Sequence, residues 1–117
     1  MTNIDEKELD FAAEKAEESK NIFLHTFKKP VSYNGKTYEK LEFDFESLTG
    51  ADALNIENEL QAIGKPVVVP AFSGEYLIRM AAKACSEPVG SDIFMQMSLH
   101  DYNSIRSAAR SFLLKSE

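Results

Sequence analysis

Between residues 41 and 46 apolar and acidic positions alternate one for one. Leu41, Phe43 and Phe45 fall on one side of an extended chain, and Glu42, Asp44 and Glu46 on the other. A period of two marks a strand buried on one face and wet on the other. Upstream, residues 30–33 and 36–38 flank Asn34-Gly35, a pair that tolerates the positive φ of a type I′ turn, so an antiparallel hairpin is expected. The pattern contains one conflict. A strict two-residue turn sets Tyr33 opposite Lys36 and Val31 opposite Tyr38, which places Val31, Tyr33 and Tyr38 on the face opposite Phe43. Either a bulge between Tyr38 and Leu41 switches faces, or the loop is longer than two residues.

Beyond residue 48 the apolar period becomes helical. Thr49 and Asp52 have the spacing of a capping box, followed by a stripe of Ala53, Ile56, Leu60 and Ile63 that stops at Gly64 with Pro66 beyond. Residues 65–72 form a connector with two prolines, in which residues 67–69 suit a short extended piece. Ser73 caps a second stripe of Leu77, Met80, Ala81 and Ala84, which ends before Pro88 and Gly90. Ser91 or Asp92 opens a short turn through Met97. Ser98 and Asp101 repeat the capping spacing ahead of a stripe of Tyr102, Ile105, Ala109, Phe112 and Leu113. The expected fold class is α+β, a small antiparallel hairpin with about three helices packed on it.

The first twenty residues differ from the rest. They hold seven acids and three lysines, and their apolar content is Ile4, Leu9, Phe11 and alanines, so they read as a frayed helix or mobile arm. The expected organisation is therefore an acidic arm over residues 1–26 and a single domain over residues 27–117. A chain of 117 residues with 44% hydrophobic and 27% charged residues fits one small globular domain. The net charge of −6 argues against nucleic acid as the main partner. One cysteine makes no internal disulfide, and no apolar run approaches the roughly 18 residues that span a bilayer. The opening residues are acidic where a secretory signal is basic and then apolar, so a cytoplasmic location is expected, with no membrane partner.

Groups for catalysis are sparse. His25 and His100 stand far apart, with no chelating spacing for a metal. Ser98, His100 and Asp101 have the residue types of a hydrolytic triad, but all three lie at one helix start, where capping accounts for Ser98 and Asp101. Cys85 lies late in a helix, a packing position. The strand carboxylates Glu42, Asp44 and Glu46 suit a solvated edge, and an enzyme or small-molecule binder using them with His25 lacks a convergent set of groups. No cofactor, metal or catalytic residue is assigned, and no enzyme activity is expected. Arg79 and Lys83, then Arg106 and Arg110, repeat at i, i+4 on the last two helices, so docking of the acidic arm on these faces is one reading and ordinary solvated faces the other. Met80, Met95 and Met97 with Phe94 suit either core filling or an adaptable binding surface.

The order of parts resembles a known family. Pro30 precedes a hairpin over Tyr33-Asn34-Gly35-Lys36-Thr37-Tyr38 that runs into Leu41-Glu42-Phe43-Asp44-Phe45. Leu48-Thr49-Gly50-Ala51-Asp52 leads to Ile56-Glu57 on a helix, Arg79-Met80-Ala81-Ala82-Lys83 lies on the next, and Leu99-His100-Asp101-Tyr102 opens the last, which reaches Phe112-Leu113. Over residues 27–114 this is similar to the phage tail assembly chaperones, including the Mu-like prophage type. The resemblance implies a non-enzymatic protein that binds the tape measure protein, keeps its apolar helical segments soluble, and leaves as tail tube subunits polymerise around it. The implied partners are the tape measure protein and the tail tube protein, with homo-oligomers allowed. The family supplies no residue-level partner motif, so the expected partner-binding residues Phe94, Met95, Met97 and Leu99 rest on apolar character around the last connector. A structural tail or connector component retained in the virion, and a small host adaptor or regulatory domain, are the alternative readings.

Overall fold

The computed structural model describes residues 22–115. The expected helix or arm over residues 1–20 lies outside the described residues. The fold is α+β: an antiparallel hairpin of β1 (Ile22–Tyr33) and β2 (Lys36–Asp44), followed by helices α1 (Gly50–Ala62), α2 (Gly74–Ala84) and α3 (Leu99–Lys115). Three short 3₁₀ turns, Phe45–Ser47, Pro70–Phe72 and Ser91–Gln96, join them. β1 begins at Ile22, so residues 22–26 are strand and not part of an arm that ends at residue 26.

The hairpin turn is the two-residue form, with Asn34 at φ 50° and Gly35 at φ 78°, and Tyr33 pairs with Lys36 and Val31 with Tyr38. The face conflict is resolved opposite Glu39. Val31 pairs with Tyr38 and Thr26 with Lys40, so four residues of β1 (residues 27–30) face one of β2. The extra residues are in β1, where Pro30 has no amide to give to a ladder. This irregularity lets Val31 and Tyr38 on one side of it, and Phe27, Leu41 and Phe43 on the other, all reach the core.

The helix boundaries follow local chemistry. Asp52 N donates to Thr49 Oγ1 at 3.3 Å and Thr49 N to Asp52 Oδ2 at 2.8 Å, a closed capping box. α1 ends with Gly64 at φ 76°; Lys65 N donates to Leu60 O at 2.8 Å and Gly64 N to Gln61 O at 3.0 Å, the two bonds of a Schellman motif. Ile63, expected on the buried stripe, lies beyond the last turn and is exposed. Residues 67–69 enter no sheet among the described residues. Ser73 caps α2 by accepting from Tyr76 N at 3.1 Å.

α2 is the central helix. Its expected stripe of Leu77, Met80, Ala81 and Ala84 is buried, and so are Tyr76 and Ile78, because α1, α3 and the hairpin surround it. Past its end Cys85 forms a single bridge with Phe43, and Ser86 N donates to Glu42 O at 2.9 Å, which ties the α2 exit to β2.

Candidate functional site

An apolar groove lies between α1 and α3, with α2 beneath it. Leu48 and Ala53 form one wall, Phe112 and Leu113 the other, Ile56, Tyr76 and Met80 the floor, and Thr49, Gly50 and Asp52 the polar end. Its volume is about 320 Å³. Each wall follows from a boundary already described. The capping box starts α1 at the groove's end, so Ala53 and Ile56, one turn apart, both face inward. On α3, Phe112 and Leu113 continue the stripe of Ile105 and Ala109 and are half-buried. Phe112 stacks on Phe45 with centroids 5.5 Å apart, which anchors that wall to the end of the hairpin.

The expected partner-binding residues separate into two groups. Phe94 is 2% exposed and packs edge-on to Tyr102 with centroids 6.4 Å apart, so it is core and is removed from the candidate surface. Met97 is half-buried against the same core. Met95 and Leu99 are exposed at 68% and 72%. The four residues do not gather into one surface, and none of them lines the α1–α3 groove. Sequence reading missed the groove because its walls come from three elements, and only the Phe112–Leu113 pair, apolar at the open end of a stripe, hinted at it.

The polar centre of the molecule is Asp101. It is fully buried, and each carboxylate oxygen takes two hydrogen bonds. Oδ1 accepts from His25 Nε2 at 2.9 Å and Lys28 N at 3.1 Å; Oδ2 accepts from Ser98 Oγ at 2.8 Å and Lys29 N at 3.5 Å. Burial alone pushes this carboxyl up, but the Lys28 amide, the Ser98 hydroxyl, His25 and the Lys29 amide outweigh it and hold it down at about 2. An ionised carboxylate only accepts, so His25 carries its proton on Nε2. The order of contacts is Ser98–Asp101–His25, with the carboxylate in the middle. A hydrolytic triad needs the histidine between serine and acid, so this cluster joins α3 to β1 and is not a nucleophile relay. His100 is exposed and outside it. His25 pairs with Leu41 across the hairpin, on the face opposite Glu42 and away from the strand carboxylates.

Of the basic candidates, Arg79, Lys83 and Arg110 are paired within the fold, while the Arg106 Nε is buried with no hydrogen-bond partner among the described residues. Glu59 of α1 lies 4.0 Å from Arg79 and 3.8 Å from Lys83, and Glu75 binds Arg79 at 2.5 Å and Lys65 at 3.2 Å. Arg79 draws the Glu75 carboxyl below its ordinary value. Arg110 donates to Ala71 O at 2.9 Å, and the Arg106 guanidinium lies 5.5 Å from the Tyr102 ring centre. Arg79 and Lys83 therefore clamp α1 to α2, and Arg110 clamps the connector to α3. Burial pushes the Cys85 thiol up, which disfavours a thiolate. Among the described residues no three His, Cys, Asp or Glu side chains gather as metal ligands, and no helix is long and apolar enough to cross a membrane. No protein-family model, no curated protein and no solved structure matches the chain.

Proposed function

We propose that this protein is a binding protein that holds an apolar segment of a partner in the α1–α3 groove, and that it serves as a phage or prophage tail assembly chaperone for the tape measure protein. The observation that supports this reading is the groove itself. Half-buried Leu48, Ala53 and Leu113 line a furrow above a floor of Ile56 and Met80, with one polar end. An amphipathic helix lays its apolar face into such a furrow through positions at i, i+3 or i+4 and i+7. Met80 in the floor gives the site the adaptable, polarizable surface that accepts varied apolar side chains. The order of hairpin, Leu48-Thr49-Gly50-Ala51-Asp52 helix start and closing helix supplies the family part of the proposal.

Co-expression with the tape measure protein encoded by the same genome tests it. The expected result is an otherwise insoluble tape measure protein recovered in the soluble fraction and eluting with this chain. A tape measure protein that remains insoluble, with nothing co-eluting, contradicts the chaperone role. The retained tail component is separated by mass spectrometry of purified virions, from which a chaperone is absent.

A further inference from the structure

Of the six asparagines in the sequence only Asn34 precedes a glycine. Asn55, Asn58 and Asn103 lie within α1 and α3, where helical bonds hold the next residue's amide, and Asn3 and Asn21 precede isoleucine, whose branched side chain crowds that amide. Asn34 and Gly35 are both exposed at the hairpin tip. The ladder closes at the Tyr33–Lys36 pair, so the Gly35 amide stands outside it, and among the described residues it donates to no acceptor. Open space lies where a Cβ on Gly35 would be. Asn34, at φ 50°, is held in the left-handed region that is strained for an L residue, so rotation of the turn out of this state is locally favoured. Three contacts oppose that rotation. Tyr33 Oη donates to Asp92 Oδ1 at 2.6 Å and accepts from Gly90 N at 3.2 Å, and Lys36 Nζ lies 3.4 Å from Glu87 Oε1, so the tip is clasped to the loop after α2.

We propose that Asn34-Gly35 is a self-modifying site, at which the chain converts Asn34 to aspartate and isoaspartate with water as the only co-reactant, at a rate set by opening of the Tyr33 clasp. The reacting pair is a backbone nitrogen and the side-chain amide one residue before it. Solvent hydroxide takes the Gly35 amide proton, and the nitrogen attacks Asn34 Cγ, forming a C–N bond that closes a five-membered imide. The Cγ–Nδ2 bond then breaks, and the nitrogen leaves as ammonia with a proton from water. A second water opens the imide at either carbonyl. Opening at the side-chain carbonyl breaks the new C–N bond and leaves aspartate at position 34. Opening at the main-chain carbonyl breaks the original peptide bond and leaves isoaspartate, with the chain running through Cγ. Nothing is oxidised or reduced. Asp-Gly suits the same turn, so the aspartate product keeps the pairing and adds a negative charge beside Lys36. Isoaspartate lengthens the main chain by one carbon, so the turn no longer sets Tyr33 opposite Lys36, and the tip leaves Asp92 and Gly90. The site stands independently of the binding reading above.

The test ages the full chain in mildly alkaline buffer made with heavy-oxygen water and maps the products by peptide mass spectrometry, with electron-based fragmentation to separate isoaspartate from aspartate. The expected result is label entering at residue 34 before any other position, with both products formed. Tyr33→Phe, which removes the clasp and keeps the ring, should speed the conversion about fivefold, the effect of one lost hydrogen bond on opening. Asn34→Gly keeps a turn-forming pair without the side-chain amide and should take up no label there. In the aged isoaspartate fraction the Gly90 amide resonance should shift, while in Asn34→Asp it stays in place. A short peptide spanning residues 30–40 verifies that the conditions convert the free pair. Conversion of that peptide with none in the folded chain overturns the proposal. Conversion of the other asparagines at the same rate overturns it too, as does a rate that Tyr33→Phe leaves unchanged. An isoaspartate fraction with an unmoved Gly90 amide overturns the release of the tip.

Discussion

Asp101 accepts hydrogen bonds from β1 and from the start of its own helix, and it does so with no exposure to solvent. The β1 irregularity frees the Lys28 and Lys29 amides from the ladder, and the carboxylate takes both. Removing it leaves buried donors unpaired, at a cost of about 1 to 3 kcal/mol for each. Asp101→Asn keeps the volume but turns an amide N–H₂ toward donors, so we expect a loss of about 2 to 3 kcal/mol in urea unfolding. The pH dependence has a definite sign. The folded carboxyl titrates at about 2 against an ordinary 3.8, so its contribution is complete above pH 4 and is lost as pH falls through the folded value. The loss amounts to about 2 kcal/mol. Unfolding free energy measured from pH 5 to pH 2 should fall accordingly, and Asp101→Asn should flatten the profile. The sequence disclosed half of this arrangement. Ser98 and Asp101 have the spacing of a cap, but nothing local points to His25 or the β1 amides, which are more than 70 residues away.

Elements were legible where a local rule fixes them. Asn34-Gly35, the Thr49–Asp52 box, Ser73 and Gly64 each set a boundary through bonds within five residues, and the structure contains each of those bonds. The alternation at Leu41 and Phe43 gave the buried side of β2 for the same reason, and Phe45, also buried, already lies in the 3₁₀ turn that ends the strand. The hairpin's face switch was visible as a conflict, and of its two resolutions the structure contains the first, an irregularity between Tyr38 and Leu41; the period of β2 did not show that the three extra residues lie in β1. Ile63 was misplaced because a periodic stripe has no information about where the Schellman turn carries the chain away. Gly64 tests the element scale directly. Its φ of 76° has open space where a Cβ would lie, so Gly64→Ala carries only the backbone penalty, about 1 kcal/mol. Calorimetry should show a melting temperature about 5 °C lower, with unchanged unfolding cooperativity.

At the scale of the whole molecule, the hairpin and α2 are held by a continuous core, and the α1–α3 groove lies at its edge among the described residues. Phe112 and Leu113 meet Leu48 and Ala53 across Tyr76 and Met80 of α2, a fact of assembly that no stripe in the sequence states. The exposed pair Met95 and Leu99 lies elsewhere, so the two surfaces make different predictions. Ala53→Glu adds a charged side chain to the groove wall from a half-buried helical position, where its effect on folding stability should stay within about 1 kcal/mol. Capture of an apolar helical partner should then fall at least about tenfold, since a desolvated unpaired carboxylate opposes binding by more than 1.4 kcal/mol. Met95→Ser/Leu99→Ser should leave capture unchanged.

The most direct measurement is therefore a side-by-side pull-down of the tape measure protein with the native chain, Ala53→Glu, and Met95→Ser/Leu99→Ser, each verified as folded by its methyl spectrum. Retention by the native chain and by the Met95/Leu99 variant, with loss in Ala53→Glu, is the result that the groove as partner site predicts. Equal retention by all three, or loss only in the Met95/Leu99 variant, would contradict it.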